Sequence, residues 1–475
     1  MSYNKIKEYI LKNKEFLILY IISTIFFILY HYIYMGWDFA AYVINAKYWL
    51  GLEQYFETYR APLMPFTLMI FGASKFAEYI YIFLISSLFA IACYKFSKTV
   101  KLNEILFYAF MLNPFTLLMG LIEGTELLSL TLLLFSITLI LNNKNSGYMF
   151  GLAFLCKYTN LYNAIFIFFD RKKNIIKNII TFAIIIAPWF IFNYINYGNF
   201  FTSIANGYAL NVKFRDYLPF VWGWSNFLIL FNIIFPFLIY GIYKRIKQIK
   251  IKPLQKIDWI LIIYTIIQLY IYFSVPVKVE RYLFNLILPV VYYSTYGINE
   301  LIKNKSNINV NKYIAIISII IILIISISTT IKIDNNSGNS NPTSLKIINI
   351  AKSENITHCA LKTNTWVEVN YLSDINVAPT INLDHIDMHI KEGYIMILAQ
   401  NISHKYKFYS KNGYSAIGKK KNCKLNKNHK HDMTYLERIQ IDIKRRYNET
   451  ENIEPCHIIF NNQILKKICE KINFQ

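Results

Sequence analysis

The chain has 475 residues and a formal net charge of +22. It is 55% hydrophobic with a mean hydropathy of +0.32, and apolar runs of spanning length recur along most of it. That excludes a soluble enzyme and indicates a polytopic membrane protein. Its positive charge is what the positive-inside bias of cytoplasmic loops produces; no motif of a nucleic-acid-reading module is present, so nucleic acid is not an expected partner.

Taken in order, Lys5, Lys7, Lys12 and Lys14 precede the first apolar run and place the N-terminus in the cytoplasm. Residues 16–34 read as a retained anchor rather than a cleaved signal, because Trp37-Asp38 follows where small residues would mark a cleavage site. The run at 62–73 extends only about 18 Å as a helix, too short to cross, and reads as juxtamembrane. Further crossings are expected at 77–94, 104–121, 125–141, 178–197, 224–243, 257–274, 282–298 and 313–331. Residues 147–169 differ, because Lys157, Tyr158, Thr159 and Asn160 interrupt the run at its middle. A broken helix pair meeting near Lys157 keeps Arg171, Lys172, Lys173 and Lys177 on the cytoplasmic side.

The composition changes at residues 334–342, an Asn/Ser/Gly/Pro linker. It divides a membrane domain, 1–333, from a polar domain, 343–475. Strands are expected at 359–361, 367–371 and 394–400, and helices at 345–353 and 436–447, giving a small extracytoplasmic α/β domain. Cys359, Cys423, Cys456 and Cys469 allow one or two disulfides, with three connectivities if both form. Sequons stand at Asn335, Asn355, Asn401 and Asn448. Asp384, His385, Asp387 and His389, with His429 and His431, match no closed zinc spacing and read as solvated surface.

The residues with chemical interest cluster around 35–66. Asp38 stands at the end of the first apolar run and Arg60 at the far end of the following polar loop. An acid at one membrane–water boundary and a guanidinium at the other suit a phosphate-bearing lipid, the carboxylate orienting a hydroxyl and the guanidinium taking the phosphate. Lys157 lies within an apolar segment, where an ionisable group is costly enough to suggest function.

This loop resembles the first extracytoplasmic loop of the GT-C glycosyltransferases, in Asp38, Tyr42, Ala46, Gly51, Tyr55, Arg60, Pro62 and Leu63. Arg60 stands where a Lys is common, Ala61 where a first Pro is found, and Phe39 where a second acid often follows the first. Residues 278–289, with Lys278, Glu280, Arg281, Tyr282 and Pro289, resemble the basic signature that opens a late span in that superfamily, with Asn285 replacing a Pro. Three more stretches resemble it in order: Asn113-Pro114 through Gly120 to Glu126, Gly151 through Lys157-Tyr158-Thr159, and Pro188-Trp189 through Asn193 to Gly198.

The resemblance implies an all-α polytopic GT-C-like fold of about nine crossings, a broken helix pair and juxtamembrane helices, with the C-terminal α/β domain outside. It implies a transferase of the protein O-mannosyltransferase or aminoarabinose-transferase kind in the cell membrane, moving a sugar from a polyprenyl- or dolichyl-phosphate carrier to a glycan, lipid or protein acceptor with inversion. Asp38 would act on the acceptor hydroxyl, and Arg60, Lys157, Lys278 and Arg281 would serve the carrier phosphate. Glu123 and Glu126 would meet sugar hydroxyls, and Tyr42, Tyr158, Glu280 and Tyr282 would complete the site. No cofactor is expected; the resemblance leaves a divalent metal on Asp38 open, as some members of that superfamily use one, but the lack of a second acid beside Asp38 argues against it. The competing reading is a transporter or lipid-linked sugar flippase, which predicts paired repeats with interrupted helices; the sequence has no such internal symmetry.

Overall fold

The computed structural model describes residues 13–53, 56–213, 223–249, 253–275, 278–302, 310–335, 340–373, 375, 377–379, 386–425, 463, 466–467 and 470. They form two compact units. The first is Met1–Ile33, Ala61–Met64 and Glu78–Thr330; the second is Tyr34–Arg60, Pro65–Ala77 and Ile331–Gln475. The loop that carries Asp38 groups with the C-terminal residues rather than with the helical bundle.

Among the described residues, five helices are long and apolar enough to cross a membrane: Lys14–Ile33, Lys75–Thr99, Lys172–Tyr197, Trp224–Ile249 and Lys256–Ser274. Shorter apolar helices lie at Glu126–Leu141, Gly147–Cys156 and Lys312–Ser328. The break at Lys157 is present. The helix ends at Cys156, Lys157 is extended (φ −157°, ψ 116°), and a 3₁₀ segment runs from Tyr158 to Phe169. Asn160 makes the break tolerable: its amide donates to the Ala153 carbonyl at 2.8 Å and to Ser129 Oγ at 2.9 Å. Asn163 donates to Asn160 at 3.2 Å, and Gln268 donates to Asn163 at 3.1 Å, so a string of buried amides satisfies itself across three segments.

One expected crossing is corrected, and another is interrupted within a length that still suits a span. Residues 104–121 form two short helices, Glu104–Met111 and Pro114–Met119. Asn113 caps the second, accepting from Phe115 N at 2.9 Å and Thr116 N at 3.2 Å, and Pro114 follows where its missing N–H is harmless. Residues 224–243 are likewise interrupted at Asn232 (φ 32°), whose amide takes up the freed carbonyls of Ile229 and Leu230.

Close helix contacts hold the first unit. Gly241, on helix Phe235–Ile249, crosses helix Ile287–Ile302 so tightly that an added Cβ would lie 1.8 Å from the Tyr293 carbonyl oxygen. Gly147 meets the Asn178 carbonyl in the same way, at 1.9 Å. Polar ties finish the helix ends. Arg245 grips Asp258 through two hydrogen bonds (3.1 and 2.5 Å), and Lys256 donates to the Ile140 carbonyl at 2.8 Å. His31 and Glu78, both buried, pair at 2.8 Å between the end of Lys14–Ile33 and the start of Lys75–Thr99.

In the second unit, the C-terminal residues build a five-stranded sheet. Its strands are β1 (Leu361–Thr363), β2 (Val377–Pro379), β3 (Ile395–Leu398), β4 (Lys407–Lys411) and β5 (Tyr414–Ile417), in the order β2-β1-β3-β5-β4. The β2-β1-β3 half is parallel, with Leu361 opposite both Val377 and Ile395; the β3-β5-β4 half is antiparallel. Ile386, Ile390, Met396, Leu398 and Ile417 form its core. The expected strand at 367–371 is instead a helix, Trp366–Leu372: its apolar positions are buried all round, a pattern that periodicity does not distinguish from a buried strand. The β4–β5 hairpin turns at Asn412-Gly413, both at positive φ (52° and 79°), a dipeptide signal that the sequence carried and the strand assignment passed over. Cys359 and Cys423 form a disulfide; Cys456, Cys469 and the expected 436–447 helix lie outside the described residues.

Gly241→Ala is expected to force the two helices apart and cost about 1–3 kcal/mol as an overpacking change. The check is a lowered thermal midpoint of the detergent-solubilised protein.

Candidate functional site

The second unit places Asp38 in the first turn of helix Trp37–Trp49. Asp38, Tyr42 and Asn45 recur at helical spacing and share one face. Onto that face the chain folds back at 57–60. Asn45 clamps the returning backbone, its amide donating to the Glu57 carbonyl at 3.0 Å and its carbonyl accepting from Glu57 N at 2.9 Å.

This clamp delivers Arg60 to Asp38. The guanidinium Nη2 pairs with Asp38 Oδ1 at 3.0 Å, while Nε donates to the Glu57 carboxylate. Its Cζ lies 5.0 Å from the Tyr42 ring centroid and 5.3 Å from that of Tyr59. Arg60 and Glu57 are buried, with side chains 6% and 2% exposed, whereas the Asp38 side chain keeps 24% exposure. Burial pushes the Glu57 carboxyl above its ordinary range, against the pull of Arg60. For Arg60, burial acts downward but is outweighed by Glu57, Tyr59 and Asp38, which hold it well above its usual value. The result is a fixed cation that orients the half-buried carboxylate.

In the first unit, the turn before helix Glu126–Leu141 gathers two more cations. Arg281 Nη1 pairs with Glu123 Oε1 at 3.4 Å, and Lys157 Nζ pairs with Glu126 Oε1 at 3.1 Å. Glu123 and Glu126 are three residues apart, so their backbones lie within about 11 Å of each other. Tyr81 fixes the turn by donating to the Gly124 carbonyl at 2.7 Å. Arg281 and Lys157 remain 22% and 23% exposed. Arg281 also lies over the Tyr282 ring (5.6 Å), and Tyr158 accepts a hydrogen bond from Trp189 Nε1 at 2.9 Å.

Two expectations change in role. Lys278 donates to the Tyr272 and Phe273 carbonyls at 3.0 and 3.1 Å and to Val275, so its three hydrogens cap the end of helix Lys256–Ser274 rather than reach a phosphate. Burial correspondingly lowers its pKa. Arg60, expected to take phosphate, faces two carboxylates instead. Glu280 is half-buried on the 3₁₀ segment Glu280–Leu286, and the carboxylate opposite Arg281 comes from the distant Glu123. Glu57 and Asn45 were missed; the opposite charges of Glu57 and Arg60 at a three-residue spacing were the available signal. Tyr55, Asp384, His385, His429 and His431 lie outside the described residues. His389 contacts the buried Lys362 at 3.0 Å, and Asp387 pairs with His404 at 3.3 Å. His358 gathers with Cys359 and Cys423, whose thiols are joined to each other.

No family model matches the chain, and no curated protein matches it in sequence. A match appears in three dimensions, to the crystal structure of ArnT from Cupriavidus metallidurans bound to undecaprenyl phosphate. The TM-score is 0.60, over 85% of this chain and 98% of that one. The fold is ArnT-like. Sequence identity is 8%, so the likeness to ArnT is one of architecture: an apolar helical membrane bundle with a small mixed α/β sheet domain.

Arg60→Gln removes the one cation between Asp38 and Glu57 and is expected to destabilise the second unit by about 3–5 kcal/mol, the cost of stranding a buried charge. Arg60→Lys keeps the charge but loses the fork, so its loss should be smaller. Thermal unfolding of the two variants side by side checks the order.

Proposed function

We propose that this chain is an integral-membrane glycosyltransferase that moves one sugar from a polyprenyl-phosphate carrier (dolichyl phosphate in an archaeal or eukaryotic membrane) to an acceptor hydroxyl on the extracytoplasmic face. The observation that carries this reading is Asp38: a half-buried carboxylate, held by a buried guanidinium, in the first turn of helix Trp37–Trp49 in a chain of ArnT-like fold. The undecaprenyl phosphate bound to ArnT supports a lipid phosphate as the partner here.

In the reaction, Asp38 accepts the proton of the acceptor hydroxyl as its oxygen attacks the anomeric carbon. The bond from that carbon to the carrier phosphate oxygen breaks, the configuration inverts, and the electron pair leaves with the lipid phosphate. The protonated Asp38 then releases its proton to water. Arg60 serves this step as a positioning residue rather than as a phosphate ligand, because its donors already face Asp38 and Glu57. The charge that gathers on a leaving phosphate calls for cations, a contribution of several kcal/mol in sites of this kind; within the first unit, Arg281 and Lys157 are our candidates for holding a lipid phosphate. We assign no metal to Asp38, since a guanidinium lies between the two carboxylates that a cation would bridge.

Asp38→Asn is expected to abolish sugar transfer at unchanged protein level, read by glycan and lipid-linked sugar profiling of a deletion strain complemented with the variant. Full transfer in that strain would overturn the mechanism. Arg281→Ala and Lys157→Ala should each weaken binding of undecaprenyl phosphate to the purified protein, while Lys278→Ala should leave it unchanged.

A further inference from the structure

Helix Trp37–Trp49 begins without a side-chain cap. Its N-cap is Gly36, which has no side chain to bond the first amides, and only residues 34–36 connect it to Lys14–Ile33. First turns of this kind fray unless something outside the helix holds them, and Asp38 is in that turn.

The external hold is on the C-terminal helix Trp366–Leu372. The two helices pack together, and the Trp37 ring meets the Trp366 ring edge-on, with centroids 6.0 Å apart and planes at 87°. Trp366 is 2% exposed. Its helix is tied on two other sides. Ser344 Oγ donates to Glu368 at 2.6 Å, and Asn370 exchanges two hydrogen bonds with Val377 of β2 (2.8 and 2.7 Å). At its far end, Lys75, where the chain leaves the loop, lies 4.0 Å from the Tyr371 ring centroid. The same short helix, tied to the sheet, therefore meets both the start of Trp37–Trp49 and Lys75.

We infer that Trp366, acting through Trp37, is a positioning residue for Asp38, and that the C-terminal domain is the seat of the acid-bearing helix rather than an appendage. The inference rests on the proposed role of Asp38 for its catalytic consequence, but its structural content stands apart from that role. Arg60 fixes the carboxylate from one side and the Trp37–Trp366 contact fixes the helix start from the other. Loss of the second leaves Asp38 paired but on a helix end free to shift. A misplacement near 1 Å can cost about 100-fold in rate.

The test uses the full-length protein in detergent micelles, with amide exchange followed on peptides covering residues 37–49 and 395–398. In Trp366→Leu, exchange over 37–42 should rise roughly two- to ten-fold, the range that an aromatic pair supports, with the β3 peptide unchanged. Sugar transfer in complemented cells should fall at least about ten-fold. Trp366→Phe, which keeps a ring, should restore both, and Trp37→Leu should reproduce the loss if Trp366→Leu does not accumulate. Unchanged exchange over 37–42 overturns the inference, as does a rise spread equally over β3, which assigns Trp366 to the core alone. Loosened exchange in a protein whose Asp38→Asn variant stays active leaves the positioning intact and removes the catalytic reading.

Discussion

The second unit depends on one cation between two acids. Arg60 is buried, and a buried guanidinium is tolerated only where its charge and its flat fork of donors are both met. Glu57 meets one edge, Asp38 another, and the Tyr42 and Tyr59 rings lie over the plane. Because Glu57 is wholly enclosed while Asp38 is not, the arrangement is asymmetric: one acid is structural and the other faces outward. The loop's geometry follows from meeting that demand, including the Asn45 clamp on the Glu57 backbone.

The same logic recurs in the first unit with the roles reversed. There Glu126 is the enclosed partner of a half-buried Lys157, while Glu123 and Arg281 are half-buried alike. An ionisable side chain within an apolar bundle persists when paired, and these pairs join segments far apart in the chain. Lys278 marks the contrast. Its ammonium is consumed by helix-end carbonyls, so a lysine adjacent in sequence to Arg281 does a different job.

Much of this was legible in the chain. Long apolar runs gave the main helices, and the polar interruption at Lys157 gave the broken pair, because an unpaired backbone in an apolar layer needs local partners that Asn160 supplies. Asp38 stood out at the end of an apolar run, Arg281 in the run from Lys278 to Pro289, and Lys157 because an ionisable group inside an apolar segment is costly. What was not legible came from distance or ambiguity. Asn113-Pro114 was a helix start hidden inside an apolar run. Residues 366–372 are buried on all sides and carry no periodicity to separate helix from strand. No local pattern pairs Arg281 with Glu123, or Trp37 with Trp366, since nothing near either residue encodes its partner.

That last separation bears on how the protein is made. The helix with Asp38 emerges early in synthesis, and its support emerges near the end. At about 5–20 residues per second, the roughly 330 residues between Trp37 and Trp366 take on the order of tens of seconds to translate. Throughout that interval the nascent loop lacks its mate, so the packing of helix Trp37–Trp49 is completed late in biogenesis.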